Sequence, residues 1–316
     1  MKRLEDTTGN DIASEINKLR RRMGAPATGM VMTLLVLADE TSQADATLAA
    51  TQAAHEHPMR ILVLIPRADS QFDRLDAEIS VGGEDGPGEV VVMRLRGALA
   101  EHVGSVAIPL LLSDTPIVAW WPHDAPGVPQ EGDIGAHSTR RITNAMSESD
   151  QVGALKRQAE GYRPGDTDLA WTQITGWRTL LASTLDAEHA EIMGAEVHVL
   201  WATAAANLLA AWLGSRLNIP VSVVESDGPG ITQVRLLTTD ADITIKRPDG
   251  KVAILERKGM PPATTALPRK DWGELMSEEL RRLDPDEIYG ETLQALDRVG
   301  EGALSLGVVV EEDEDD

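Results

Sequence analysis

The chain has 316 residues, no cysteine, and 29 Lys+Arg against 51 Asp+Glu, a formal net charge of −22. That composition excludes thiol catalysis, thiolate metal sites and disulfide switching. It also argues against nucleic acid or an anionic membrane as the main partner, since both reward Lys and Arg. The length suits about two domains, each large enough to bury a core without a metal or disulfide staple.

Residues 1–25 carry six basic and four acidic side chains and read as an N-terminal helical extension with no apolar signal-peptide core. No stretch offers the roughly 18 consecutive apolar residues of a membrane span, so a cytoplasmic protein is expected. Residues 30–38 (MVMTLLVLA) form an apolar run suited to a strand covered on both faces. An Ala-rich helix follows over 42–54, Pro58 ends it, and Arg60–Ile65 is a second buried strand, so the segment reads as a βαβ unit. Further strands are expected at Ala77–Val81 and Glu89–Leu95, separated by the loop GGEDGPG, then a helix over 97–111 and a strand over Thr115–Trp121. Residues 122–137 are rich in Pro, Gly and Asp and read as a long loop, with RRITNAM (140–146) as one more strand.

Helices return in the middle of the chain. Trp171, Ile174, Trp177, Leu180, Leu181 and Leu185 fall on one helical stripe, and residues 203–217 repeat the pattern. Four strands follow, Val221–Glu225, Ile231–Leu237, Asp242–Lys246 and Val252–Glu256, the last two joined by a Pro-Asp-Gly turn that predicts a hairpin. After the linker 261–268, two short helices begin with Asp-x-x-Glu capping boxes at Asp271/Glu274 and Asp284/Glu287, with Pro285 at the first helical position. The acidic end, EEDEDD, reads as a solubilising tail. The whole predicts an α/β fold: an open, mostly parallel sheet with flanking helices in the N-terminal half, then an α+β C-terminal half with an antiparallel meander. The corresponding segments are 1–25, 26–150, 151–300 and 301–316.

The chain has no P-loop and no G-x-S-x-G elbow, and GGEDGPG lies between two strands with carboxylates that repel phosphate. His55 and His57 would share a face only in a strand. They sit at a helix end, where a solvated terminus is the better reading. No catalytic residues, cofactor or metal are expected. His123 and Asp124 follow a buried strand, where ligand sites of open sheets gather, and read either as such a site or as a solvent-facing loop. The densest stretch is YRPGDTDLAWTQITGWR (162–178). Asp166 or Asp168 can cap the helix there. Tyr162, Arg163 and Arg178, with Arg140, Arg141, Trp121, Asp166 and Asp168, form a candidate partner interface, because Tyr, Trp and Arg dominate interface energetics. The alternative is a capped core helix.

Six segments, PLLLSDTPIVAWW (109–121), STRRITNAM (138–146), 162–186, LLAAWLGSRL (208–217), SDGPGITQVRL (226–236) and EELRRLDPDEIYGETL (278–293), resemble the OpcA family of glucose-6-phosphate dehydrogenase assembly proteins, most closely its actinobacterial branch. The resemblance spans nearly the whole chain outside the first ~25 residues and the tail. It implies a non-catalytic partner that binds glucose-6-phosphate dehydrogenase and promotes its active assembly in the pentose-phosphate pathway. RRIT is followed here by Asn144 where the family usually carries Asp. From another class, the alternative is an enzyme or sensor that binds a sugar phosphate or nucleotide at the sheet's carboxyl edge, with Arg140, Arg141 and Arg163 as anion contacts.

Overall fold

A computed structural model describes residues 1–23, 29–82 and 88–304. The middle of the GGEDGPG loop, the expected boundary at residue 26 and the acidic end lie outside the described residues. Backbone contacts divide the chain into two compact units, Met1–Gln173 with Lys270–Gly290, and Ile174–Arg269 with the chain from Glu291 onward. None of the described helices is long and apolar enough to cross a membrane.

The first unit contains β1 (Lys2–Leu4), α1 (Gly9–Met23), β2 (Met32–Leu37), α2 (Gln43–Ala53), β3 (Met59–Arg67), β4 (Arg74–Val81), β5 (Glu89–Arg96), α3 (Val103–Ala107), β6 (Ile117–Trp120), β7 (Arg140–Thr143), α4 (Gln151–Gly161), β8 (Asp166–Asp168) and α5 (Leu169–Gln173). Its eight-stranded sheet runs β1-β4-β5-β3-β2-β6-β7-β8. From β5 to β8 every pairing is parallel, while β4 and β1 close one edge in antiparallel fashion. Counted along the chain, the six parallel strands follow the order 3-2-1-4-5-6 of doubly wound sheets, whose switch point lies between the first and fourth, here β2 and β6. The apolar runs in β2 and β3 are buried on both faces, as a parallel sheet requires. One face packs against α1 and α3 through Ile12, Ile16, Val106 and Ala107. On the other face lies α2, whose buried side is only alanine, so it packs close to the sheet.

That second face is completed from far along the chain. α8 (Trp272–Glu279) returns to lie beside α2 and contributes Leu275 and Met276 to the same core. Its capping box forms as expected, with Asp271 accepting from the Glu274 N–H and Glu274 accepting from the Asp271 N–H, each at 2.9 Å. The next cap differs from the expectation. Asp286, not Asp284, accepts from the Tyr289 N–H at 3.1 Å and opens α9 (Glu287–Gln294), so Pro285 stands before the cap.

The second unit has α6 (Thr175–Leu185), β9 (Ile192–Val199), α7 (Ala204–Leu217), β10 (Val221–Glu225), β11 (Ile231–Thr238), β12 (Ile243–Lys246), β13 (Val252–Glu256), β14 (Ala263–Ala266) and β15 (Val299–Glu301). The sheet order is β14-β13-β12-β11-β9-β10-β15. The meander over β11, β12 and β13 is present and continues into β14, within the stretch expected to be a linker. β10 is not part of it: β10 lies parallel to β9, with α7 packed on both, a βαβ unit inside the C-terminal half. Two expected helices are also broken. The one over 97–111 shrinks to α3 between 3-10 turns, because Gly97 sits at φ +64° and Pro109 has no N–H to donate. The other, over 171–185, divides at Ile174 into α5 and α6.

Candidate functional site

All four residues of β7 (RRIT) are buried, and the pleat sends the two arginines to opposite faces. Arg140 points toward α8, where it pairs with Glu279 and donates from Nη1 to the Asp284 carbonyl at 2.8 Å. The other Glu279 oxygen accepts the Thr172 hydroxyl of α5. Arg141 pairs with Asp166 of β8 and donates to the carbonyls of Ser138 (2.8 Å) and Pro164 (2.6 Å). Asp166 also accepts the Arg163 N–H at 2.7 Å. Each guanidinium therefore has an internal carboxylate and internal carbonyls, the condition under which a buried charge is tolerated.

Asp168 is fully buried. It accepts from the Thr143 hydroxyl (2.7 Å), the Ala145 N–H (2.8 Å), the Ala170 N–H (2.8 Å) and Gln158 Nε2 (3.2 Å). Burial pushes its carboxyl up, against the hydrogen bonds that favour the charge. A raised carboxyl in a cleft is a candidate acid. This one is enclosed, with Ala170 among its donors, so it caps α5 as one of the two aspartates was expected to. Trp171 Nε1 donates to Asp286 at 2.8 Å, and Tyr289 packs between Trp171 and Tyr162 at ring distances of 5.7 and 6.1 Å. Burial, reinforced by the Asp168 carboxylate, holds the Tyr289 hydroxyl well above its ordinary value. Together these contacts fasten Lys270–Gly290 to β7 and α5.

The expected interface patch is corrected accordingly. Arg140, Arg141, Asp166 and Asp168 are interior residues with internal partners. Trp121 is also buried, packed in the core under α1 and α3. Tyr162 is half-buried, its ring against Tyr289 and within 2.8 Å of the place a Gly290 Cβ would take. Arg163 is exposed and its guanidinium donates to the Tyr162 carbonyl at 2.9 Å. Arg178 is half-buried on α6 of the second unit, where Nη2 donates to the Thr175 hydroxyl at 3.2 Å. Asn144 is buried and donates from Nδ2 to the Pro122 carbonyl at 3.2 Å.

The switch point itself is shaped against a phosphate. Doubly wound sheets present backbone N–H groups at the start of the first helix to a ligand pyrophosphate, across a glycine-rich turn. Here Ala38–Ser42 has no glycine, and Asp39 takes donors of the turn just before α2, accepting from the N–H groups of Ser42 (2.7 Å) and Thr41 (3.0 Å) and from both hydroxyls. Those hydrogen bonds, Ser42's above all, hold its carboxyl at about 2. Across the switch point, Trp272 of α8 lies edge-on to Trp120 at 5.7 Å and to His123 at 5.9 Å. The Asp124 N–H donates to Glu148 at 2.8 Å. Of the three anion contacts expected for the sugar-phosphate reading, Arg140 and Arg141 are spent inside the fold and Arg163 alone is exposed.

Residues 50–160 match the family described as glucose-6-phosphate dehydrogenase subunit N-terminal domain, and residues 164–293 match the corresponding C-terminal domain. The two matches follow one another and together span most of the chain. No curated protein matches the sequence. Among solved structures the chain is similar to KijD10, a 3-ketoreductase from Actinomadura kijaniata in complex with NADP and TDP-benzene, at 10% identity over 87% of this chain and 100% of that one, with a TM-score of 0.48. A structure from E. coli described as trehalose-6-phosphate bound with UDP-2-fluoro glucose is similar at 8% identity over 61% of this chain and 64% of that one, with a TM-score of 0.24. Neither likeness carries an argument about function.

Proposed function

The chain belongs to the OpcA family of glucose-6-phosphate dehydrogenase assembly proteins, and from that premise we propose that it is a non-catalytic cytoplasmic partner that binds the dehydrogenase and promotes its active oligomeric state. The observation that carries the reading is the pair of consecutive domain matches, one for each half of the chain. The polar side chains most suited to chemistry support it. Arg140 and Glu279 are consumed in holding the returning segment, Arg141, Asp166 and Asp168 in tying together β7, β8 and the chain around them, and Asp39 occupies backbone donors of the turn at the switch point. An activator acts by binding one state of its target more tightly than another, which requires surface rather than a reactive centre. Of the patch expected from sequence, Tyr162 and Arg163 are the residues of the first unit within a partner's reach.

The test is co-purification of the two proteins, with dehydrogenase activity followed as this chain is titrated in. A stable complex and a rise in rate or substrate affinity are expected. No complex and no change across micromolar concentrations would refute the reading.

A further inference from the structure

Of the seven tryptophans, Trp120, Trp121, Trp171 and Trp177 are buried and Trp212 and Trp272 are half-buried. Trp201 stands in water, 70% exposed, with Leu200 beside it at 37%. The two residues open the short connection from β9 to α7, within the second unit. Both ends of that connection are fixed. The Val199 carbonyl accepts the Ser226 N–H at 2.9 Å, and Thr203 caps α7, its hydroxyl accepting the Ala206 N–H at 3.2 Å and its carbonyl the Asn207 amide at 3.0 Å. The tryptophan is thus displayed from a rigid frame, which lowers the ordering cost of binding. Tryptophan is the side chain most enriched among residues that dominate binding energy, and a turn at the protein surface is ordinarily polar or glycine-rich.

The charges around it fix the sign of the partner. Glu225 ends β10 in register with Val199, and the loop carrying Asp227 leaves from there. On the far side of β10, β15 ends at Glu301, in register with Val223. Glu225, Asp227 and Glu301 are exposed, and among the described residues no cation pairs with any of them. Arg247, Lys251 and Arg269 belong to the β14 side of the sheet, and Arg247 is buried there and donates to the Ile231 and Leu267 carbonyls. Leu200 and Trp201 therefore lie beside strand ends whose carboxylates are uncompensated. An apolar anchor with such a rim fits an apolar socket edged by Lys and Arg. A second copy of this chain is a poor occupant, because at −22 each the copies repel.

We infer that Trp201 anchors the contact with the dehydrogenase, its ring in an apolar socket of that enzyme whose Lys and Arg side chains meet Glu225, Asp227 and Glu301. The inference rests on the partnership proposed above and adds the anchoring residue and the charge of the surface that receives it. It is tested by measuring the affinity of the dehydrogenase for the full-length chain, for Trp201→Ala and for Asp227→Lys, with thermal unfolding of each recorded alongside. Both positions are exposed, so unfolding is expected to stay at the unsubstituted value. Trp201→Ala should weaken binding by about tenfold or more. Asp227→Lys should slow association and flatten its dependence on salt. If the unsubstituted chain binds and Trp201→Ala binds equally well, the anchor lies elsewhere although the partnership stands. If the unsubstituted chain forms no complex, both fall. A concentration-dependent dimer of this chain abolished by Trp201→Ala would put a second copy on this surface and overturn the proposal.

Discussion

Replacing Arg140 with Met tests how Lys270–Gly290 is held to the first unit. The Arg140 and Glu279 side chains are 5% and 6% exposed, so neither charge can fall back on water when the other is removed. Breaking such a pair from one side costs about 3–5 kcal/mol, a large share of the roughly 5–15 kcal/mol by which a domain is stable. Glu279→Leu should cost a similar amount, because it strands the guanidinium. The double variant Arg140→Met/Glu279→Leu removes both charges, and an apolar replacement of a buried pair is close to neutral. Its residual cost is the Thr172 hydroxyl and the Asp284 carbonyl left without partners, about 1–3 kcal/mol for each such group. The double should therefore lose clearly less than the sum of the two single changes. Hydrogen exchange over Trp272–Glu279 reads the opening of α8 directly and needs no two-state assumption for a chain of two units. Faster exchange in each single variant, and a smaller loss in the double than the singles' sum, are expected. A loss in the double equal to the sum of the singles would show that the two side chains are not coupled and refute the reasoning.

Asp271→Ala removes both the side-chain acceptor and the anchor of a capping box, and should lower stability by about 1 kcal/mol in urea unfolding. Asp39 is held at about 2, below its ordinary 3.8, so its stabilising contribution is present above 3.8 and lost as pH falls through about 2; Asp39→Asn should flatten the stability profile in that window. Gly165 sits at φ +98°, and an added Cβ would lie 2.7 Å from the Thr139 carbonyl oxygen, so Gly165→Ala should destabilise by about 1–3 kcal/mol, measured by urea unfolding. Arg163→Ala, at an exposed position, should leave unfolding unchanged and weaken association with the dehydrogenase by no more than about 1 kcal/mol in a titration.

The parallel strands were legible because burial on both faces forces an unbroken apolar run, as in MVMTLLVLA and RILVLI. The helix α7 was legible from its stripe and the α8 cap from Asp271 and Glu274. β9 escaped notice because IMGAEVHV alternates weakly and contains Gly194, and β8 because two of its three residues are aspartates, which are depleted in strands. β8 forms only when Arg141 and the surrounding donors satisfy its carboxylates. The same distance effect misplaced the site. An arginine is normally a surface residue, and what buries Arg140 is a single carboxylate 139 positions further on, invisible to any local pattern. One signal was available: both arginines lie in a four-residue strand that ends in Ile142 and Thr143, a β-branched context that suits a buried strand. The return of Lys270–Gly290 to the first unit likewise involves long-range pairs such as Arg140–Glu279 and Trp171–Asp286.

The most direct measurement is sedimentation velocity of the dehydrogenase at a dilution where its oligomers come apart, with and without a stoichiometric amount of this chain. The account predicts a shift of the dehydrogenase into a larger species that contains this chain, together with recovered activity. A distribution unchanged by the addition, with the two proteins sedimenting separately, would contradict it.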